Sequence, residues 1–134
     1  MCGIVGIVGT REPVEPRLIG VMRDHLAHRG PDDAGLAFSR DGTTAFGHRR
    51  LAIIDPSPAG HQPMANPRRS LLLTYNGEIY NFMEIRAALE GHGVRFHTRS
   101  DAEVLLRAFE HWGPQAVAHL RGMFAYAIWN EDSR

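Results

Sequence analysis

The sequence predicts an α+β fold in which the sheet is mainly antiparallel. The pair Asp41-Gly42 separates two β-rich segments, 34–38 and 43–48, in the pattern of a β-hairpin. Helical apolar periodicity follows Ser100, and an unbroken apolar run at 123–129 is typical of a strand that is buried on both faces. Helices and strands are therefore mixed along the chain, and the hairpin signal favours antiparallel pairing.

The N-terminal half alternates apolar runs with turn signals. Residues 3–8 are β-rich and apolar, which predicts a buried first strand. Apolar residues at positions 18, 19, 22 and 26 have helical spacing, and the predicted helix ends at Gly30-Pro31. After the hairpin, a short apolar run at 51–54 leads into a loop rich in Pro, Ala and Gly that continues to Pro67.

The next predicted strand, 71–75, stops at the turn pair Asn76-Gly77. Asn81 and Glu84 have the spacing of a capping box, in which each side chain bonds a backbone N–H at the helix start. They precede one apolar helical face formed by Phe82, Ile85 and Leu89.

A second capping box is predicted at Ser100 and Glu103, ahead of a helix that ends at Gly113-Pro114. A short helical stretch, 115–120, then leads to the apolar strand at 123–129. The chain reaches residue 134 where a turn would pass this strand to a hairpin partner, and a long apolar edge strand favours aggregation. We therefore expect residues 1–134 to be a domain that is incomplete at its C-terminus.

Composition restricts the class of protein. The 134 residues are the size of one domain, 43% are hydrophobic and the formal net charge is zero, so no basic surplus favours nucleic acid. The apolar start lacks the basic residues of a signal peptide and is too short to span a membrane. A single cysteine excludes an internal disulfide framework and fits a reducing compartment, so a cytoplasmic location is predicted.

That single cysteine is Cys2, with only Met1 before it. If Met1 is removed, the thiol and a free α-amine belong to one residue. The thiol has an ordinary pKa of about 8.5 and the α-amine one of about 7.7 to 8.0, so the amine can accept the thiol proton near neutral pH. Position alone favours a different interpretation, that Cys2 is a small buried apolar residue that opens a strand.

Four segments decide between these interpretations because together they resemble the glutaminase domain of asparagine synthetases. They are MCGIVGIVG at the N-terminus, HRGPDDAG from residue 28, GHRRLAIIDPSPAGHQPM from residue 47 and YNGEIYN from residue 75. RSDAEVLL from residue 99 and GMFAYAIWN from residue 122 extend the resemblance along the whole chain. This domain belongs to the class II, N-terminal-nucleophile (Ntn) glutamine amidotransferases. The resemblance implies an Ntn-hydrolase four-layer αββα sandwich, without the synthetase domain of the parent family.

The resemblance also implies a reaction and its catalytic residues. Cys2 attacks the side-chain amide of glutamine, giving a thioester and ammonia, and water then releases glutamate. The Asn76 side-chain amide and the Gly77 N–H stabilise the oxyanion of the tetrahedral intermediate. As an isolated signal, Asn76-Gly77 would be interpreted as a turn.

Substrate recognition is assigned in the same way. Arg50 binds the glutamine α-carboxylate through its planar guanidinium, although Arg49 stands beside it. The main chain of 51–54 helps to bind glutamine, and Asp101 and Glu78 accept from the α-ammonium. The competing interpretations are a helix-start charge for Asp101 and a solvated charge for Glu78. The complete set of expected site residues is Cys2, Asn76, Gly77, Arg50, Leu51, Ile53, Ile54, Glu78 and Asp101.

The resemblance also implies which residues brace the site and which partners the chain has. Four polar residues match family motif positions that brace the site: Arg29, Asp32, Asp33 and Asn81. The eight histidines include no Cys or carboxylate cluster that would complete a metal site, so no metal is expected. The resemblance implies no cofactor in this domain, with ATP and magnesium confined to the synthetase domain. Expected partners are glutamine, a synthetase domain in the same or another chain, and a second copy of the chain; nucleic acid and membranes are not expected.

Two other functions stay open at this point. The fold could serve as a catalytically silent docking or dimerisation module, or it could be the glutaminase domain of another class II amidotransferase with a different ammonia acceptor.

Overall fold

A computed structural model describes residues 1–133. It contains six strands, three α-helices and two 3₁₀ helices within that range. The strands are β1 (Gly3–Ile7), β2 (Asp33–Phe38), β3 (Ala45–Arg50), β4 (Met64–Ala65), β5 (Leu71–Ile79) and β6 (Gly122–Asn130). The α-helices are α1 (Pro16–Asp24), α2 (Phe82–Gly91) and α3 (Asp101–Trp112), and the 3₁₀ helices are Pro58–Gly60 and Gly113–His119.

The strands form two antiparallel three-stranded sheets. Sheet A has the order β1-β3-β2, and sheet B has the order β4-β5-β6. Helix α1 packs on sheet A, helix α3 packs on sheet B with α2 beside it, and β1 and β3 contact β5 between the sheets. The layers are therefore helix, sheet, sheet and helix, which confirms the predicted α+β fold and its four-layer order.

The two outer faces of the sandwich have cores of different size. Sheet B and its helices share one continuous cluster of buried apolar side chains, which includes Leu73, Ile79, Leu89 and Leu105. The cluster beneath α1 contains three buried residues: Val14, Ile19 and Ala45. Most of the apolar burial therefore lies on the sheet B side.

Helix α1 is shorter and more exposed than predicted. It ends at Asp24, and residues 25–29 form turns, so the predicted end at Gly30-Pro31 is wrong. Of the four periodic apolar residues only Ile19 is fully buried, whereas Leu18 is 50% exposed and Met22 37% exposed. The small cluster on sheet A accommodates one helix side chain, which explains the difference.

Strand β5 does not stop at Asn76-Gly77 but continues to Ile79. Asn76 pairs with Ala125 and Gly77 with Phe124 of β6, so nine ladder pairs override the local turn preference of the dipeptide. The short run at 51–54 belongs to no strand and forms an irregular segment after β3.

Two further predictions are only partly correct. Ser100 caps α3 by accepting from the Glu103 N–H at 3.2 Å, but the Glu103 carboxylate does not accept from the Ser100 N–H in return, so only half of that capping box forms. Asn81 makes no side-chain cap at α2. Strand β6 is half-buried rather than buried on both faces, and its Met123 is 69% exposed. Within residues 1–133, no helix is long and apolar enough to cross a membrane.

Candidate active site

A cavity of about 260 Å³ opens where the two sheets and the start of α3 meet. Sheet A provides the segment before β1 and the end of β3, and sheet B provides the centre of β5. Residues as distant in the sequence as Met1 and Met123 therefore line one space. Its lining includes every residue of the expected site: Cys2, Arg50, Leu51, Ile53, Ile54, Asn76, Gly77, Glu78 and Asp101.

Cys2 is half-buried and lies directly before β1. The Leu51 N–H donates to Cys2 Sγ at 3.3 Å, and the thiol faces the Leu51 carbonyl at 3.7 Å. Arg29 Nε donates to the Cys2 carbonyl at 2.9 Å. The nucleophile is therefore oriented by contacts on both its side chain and its main chain. Met1 also lines the cavity and is 70% exposed, and its peptide bond makes the Cys2 nitrogen an amide.

The two neighbouring arginines of β3 point to opposite sides of sheet A. Arg50 is 7% exposed and faces the cavity, where its guanidinium donates to the carbonyls of Asp55 and Ser57. An added Cβ at Gly60 would lie 2.8 Å from Arg50 Cζ, so glycine leaves the room that the guanidinium needs. Arg49 instead donates to the Gly30 carbonyl at 3.0 Å, away from the cavity.

The segment after β3 forms one wall of the cavity. Its apolar side chains differ in exposure, and Ile53 is 61% exposed. Asp55 secures the end of the segment: its carboxylate accepts from Ser57 and from the Arg99 N–H at 3.0 Å. These hydrogen bonds, the Ser57 hydroxyl first, hold the pKa of Asp55 below its ordinary value. The wall is thereby attached to the residue before the α3 cap.

Asn76 and Gly77 lie in the middle of β5, not in a turn. The Asn76 Oδ1 atom is buried and has no hydrogen-bond partner. A Cβ on Gly77 would collide with the Met123 carbonyl and come within 2.5 Å of Phe124 Cα, so the close approach of β6 requires glycine. Both groups that the oxyanion assignment needs therefore border the cavity that contains Cys2.

Asp101 is the first residue of α3 and is 5% exposed. Burial raises the pKa of its carboxyl group, whereas hydrogen bonds from the Tyr75 hydroxyl and the Ile79 N–H act to lower it. These donors lie 2.6 Å and 3.2 Å from Oδ2. Glu78, the other expected ammonium acceptor, is exposed at the edge of the same cavity.

The four bracing residues do not line the cavity but act around it. Arg29 contacts Cys2, and Asp32 accepts from the Ala52 N–H at 2.8 Å. Asp33 pairs with His61 at 2.7 Å. The Asn81 side chain donates to the His119 carbonyl at 2.9 Å and accepts from the Arg121 N–H at 2.8 Å. It therefore joins α2 to the start of β6 instead of capping the helix.

Sequence reasoning missed several residues of the cavity wall, among them Asp55, Gln62 and Tyr75. Gln62 Oε1 accepts from the Tyr75 N–H at 2.8 Å, which joins the loop after the first 3₁₀ helix to β5. Gln62 and Tyr75 both lie inside the segments that resemble the family motifs, and this position was the signal in the sequence that could have indicated them. Their contacts depend on long-range packing that no local pattern encodes.

His48 lies between the sheets outside the cavity lining, fully buried, with Nε2 2.9 Å from the Tyr75 carbonyl. Burial lowers the pKa of this imidazole to about 4, so it is neutral at pH 7. The described residues contain no group of three or more His, Cys, Asp or Glu side chains that could hold a metal ion.

The cavity and the four-layer sandwich define a class of protein. A family model described as a glutamine amidotransferase domain matches residues 1–134. The chain belongs to this family. It is 42% identical over 137 residues to "Asparagine synthetase [glutamine-hydrolyzing] 1" of Bacillus subtilis (strain 168), an alignment that covers 98% of this chain and 21% of that protein.

A plant relative gives the same result. "Asparagine synthetase [glutamine-hydrolyzing] 2" of Oryza sativa subsp. japonica is 41% identical over 131 residues, with 96% of this chain and 21% of that protein covered. The chain thus spans about a fifth of the length of these curated relatives. These alignments confirm the resemblance to the N-terminal domain of asparagine synthetases that the sequence motifs indicated.

Solved structures confirm the fold independently. The glutamine phosphoribosylpyrophosphate amidotransferase from B. subtilis, complexed with ADP and GMP, superposes with a TM-score of 0.76 at 23% identity. The match covers 96% of this chain and 35% of that one. A structure titled as the allosteric regulatory enzyme of purine biosynthesis gives a TM-score of 0.74 at 24% identity. At these identities the similarity concerns the fold alone.

Proposed function

We propose that this chain hydrolyses the side-chain amide of glutamine and supplies the ammonia to a synthetase that makes asparagine or a related amide. Family membership over residues 1–134 supports glutamine as the substrate. The observation that carries the proposal is the single cavity in which the only cysteine, a buried arginine and the Asn76-Gly77 pair meet. A silent docking module has no physical need for this combination.

The first step in the proposed mechanism joins substrate to enzyme. Arg50 holds the α-carboxylate, and Asp101 with Glu78 holds the α-ammonium, so the substrate amide lies against Cys2. The free α-amine of Cys2, once Met1 has been removed, accepts the thiol proton. The thiolate forms a bond to the amide carbon, and the carbonyl oxygen becomes an oxyanion that the Asn76 amide and the Gly77 N–H stabilise.

Breakdown of this intermediate releases ammonia. The carbon–nitrogen bond breaks, and the Cys2 ammonium returns its proton to the leaving NH₂ group. A water molecule then attacks the thioester with the same amine as base, giving glutamate and the regenerated thiol. Glutamine and water are consumed, and glutamate and ammonia are formed in equal amounts.

The destination of the ammonia rests on the asparagine synthetase relatives. We infer that a synthetase domain, in the same chain or in a second one, is the acceptor, and that ATP and magnesium act there and not within residues 1–134. The single cysteine supports a reducing, cytoplasmic setting. A second copy of the chain is a further proposed partner.

The direct experiment is a glutamate-release assay on the Met1-processed protein and on two Cys2 variants. We expect Cys2→Ala to abolish hydrolysis without unfolding the protein, because it removes the nucleophile and little volume. We expect Cys2→Ser to reduce activity by orders of magnitude, since a hydroxyl is a far weaker acid than a thiol. Substantial hydrolysis by Cys2→Ala would contradict the assignment. Circular dichroism of each variant verifies the fold.

A further inference from the structure

Tyr75 is fixed at three points between the two halves of the site. It is 3% exposed, its N–H donates to Gln62 Oε1 at 2.8 Å, and its carbonyl faces His48 Nε2 at 2.9 Å. Its hydroxyl crosses to α3 and donates to Asp101 Oδ2 at 2.6 Å. Tyr75 also directly precedes Asn76. It therefore couples the strand of the expected oxyanion donors to the expected ammonium acceptor.

The Asp101 carboxylate faces two opposing effects. It is 5% exposed, and burial in a poorly solvated site disfavours a charge. A carboxyl group nevertheless binds an ammonium group most strongly when it is ionised and presents an oxygen to the substrate. The Tyr75 hydroxyl and the Ile79 N–H, 3.2 Å away, both bond Oδ2 and favour the ionised form. Only the hydroxyl can be removed by a side-chain substitution.

We propose that Tyr75 is a positioning residue that keeps the Asp101 carboxylate ionised and oriented, and thereby selects substrates that carry a free α-ammonium group. The inference rests on the proposed glutamine hydrolysis and extends it to substrate selectivity. Tyr75 touches no reacting atom in this scheme. Its loss should affect the binding of the α-ammonium group and leave the chemistry at Cys2 intact.

Two substrates and two variants separate this role from general structural support. Glutamine is compared with 4-carbamoylbutanoate, which has the same amide and carboxylate but no α-amino group. Tyr75→Phe removes only the hydroxyl. Tyr126→Phe is the matched control, because Tyr126 pairs with Tyr75 across the β5–β6 ladder and does not line the cavity. Kinetics are measured below the unfolding temperature of every variant.

We expect Tyr75→Phe to raise KM for glutamine about ten- to a hundredfold, the range for one lost hydrogen bond to a charged group, with little change in kcat. KM for 4-carbamoylbutanoate should stay the same, and Tyr126→Phe should alter neither substrate. An equal rise for both substrates, a fall in kcat alone, or no change would overturn the proposal.

A double variant provides a second test. In an Asp101→Asn background, Tyr75→Phe should cause no further rise in KM for glutamine, because both changes act on one interaction. If Tyr75→Phe fails to fold, Asp101→Asn alone decides: a defect as large for 4-carbamoylbutanoate as for glutamine overturns the role. Absence of glutamine hydrolysis by the unsubstituted protein would contradict the proposed function instead. In that case, calorimetry measures how tightly the unsubstituted protein and the Tyr75→Phe variant bind the same two compounds, and so whether Tyr75 contributes to selectivity.

Discussion

The two halves of the sandwich contribute to the site in different ways. The sheet B half contains the continuous apolar cluster shared by β5, α2 and α3, and it presents Asn76, Gly77 and Asp101 on rigid elements. The sheet A half has a small apolar cluster and presents Cys2 and Arg50. Hydrogen bonds to main-chain groups, rather than apolar packing, hold these two residues in place.

The two halves therefore hold their site residues in place by different means. Groups that must match the developing oxyanion and the α-ammonium are placed by packed secondary structure, which holds them most rigidly. The nucleophile lies at a chain terminus, where hydrogen bonds from Leu51 and Arg29 replace a core. The comparison predicts that stability depends mainly on sheet B, whereas activity depends on both halves.

A matched pair of core truncations tests the difference in stability. Ile19 and Leu105 are both 0% exposed and lose the same number of carbon atoms on change to alanine. We expect Leu105→Ala to lower the free energy of unfolding by about 4 kcal/mol and Ile19→Ala by about 2 kcal/mol, since the small cluster around Ile19 can collapse more easily. Urea unfolding measures both. Equal losses, or a larger loss for Ile19→Ala, would contradict the contrast between the halves.

His48, between the sheets, makes stability dependent on pH. The folded protein protonates this imidazole only near pH 4, whereas its ordinary value is 6.5. As pH falls below 6.5 the unfolded chain gains the proton first, so stability declines and the full loss, about 3 kcal/mol, is reached below about pH 4. We expect His48→Gln to remove this part of the decline. Denaturant unfolding from pH 7 to 4 measures it, with exposed His28→Gln as the control. If His48→Gln leaves the pH dependence of the free energy of unfolding unchanged, His48 is not the group responsible for the decline.

The neighbouring arginines provide the most selective comparison within sheet A. Arg50→Lys keeps the charge but loses the planar guanidinium, so we expect KM for glutamine to rise by about tenfold or more. Arg49→Lys should have a small effect, because Arg49 bonds the Gly30 carbonyl outside the cavity. Steady-state kinetics distinguish the two variants. A larger defect in Arg49→Lys would mean that the choice between them is wrong.

The sequence predicted the hairpin of sheet A, the cap and end of α3, and the apolar faces of α2 and α3, because these depend on neighbouring residues. It did not predict the path of β5 through Asn76-Gly77. That dipeptide favours a turn locally, and only pairing with a strand about 50 residues later extends it.

The candidate site shows a similar limit. Ordered motifs indicated the residues that line the cavity, but no local pattern could indicate the hydrogen bond from Tyr75 to Asp101, 26 residues away. Asn81 has the spacing of a cap, yet its side chain bonds groups about 40 residues distant. The apolar residues on the exposed side of α1 were misjudged because periodicity does not reveal how much partner surface a helix meets.

The most direct test of the account concerns Met1, whose removal creates the proposed base. Met1 lines the cavity, and while it is present the Cys2 nitrogen is an amide without a basic lone pair. The measurement compares glutamate release by Met1-containing and Met1-processed preparations, each verified by intact mass. We expect the processed protein to hydrolyse glutamine and the unprocessed protein not to. Equal activity in both preparations would refute the α-amine as the base, and inactivity of both would contradict glutamine hydrolysis by this chain.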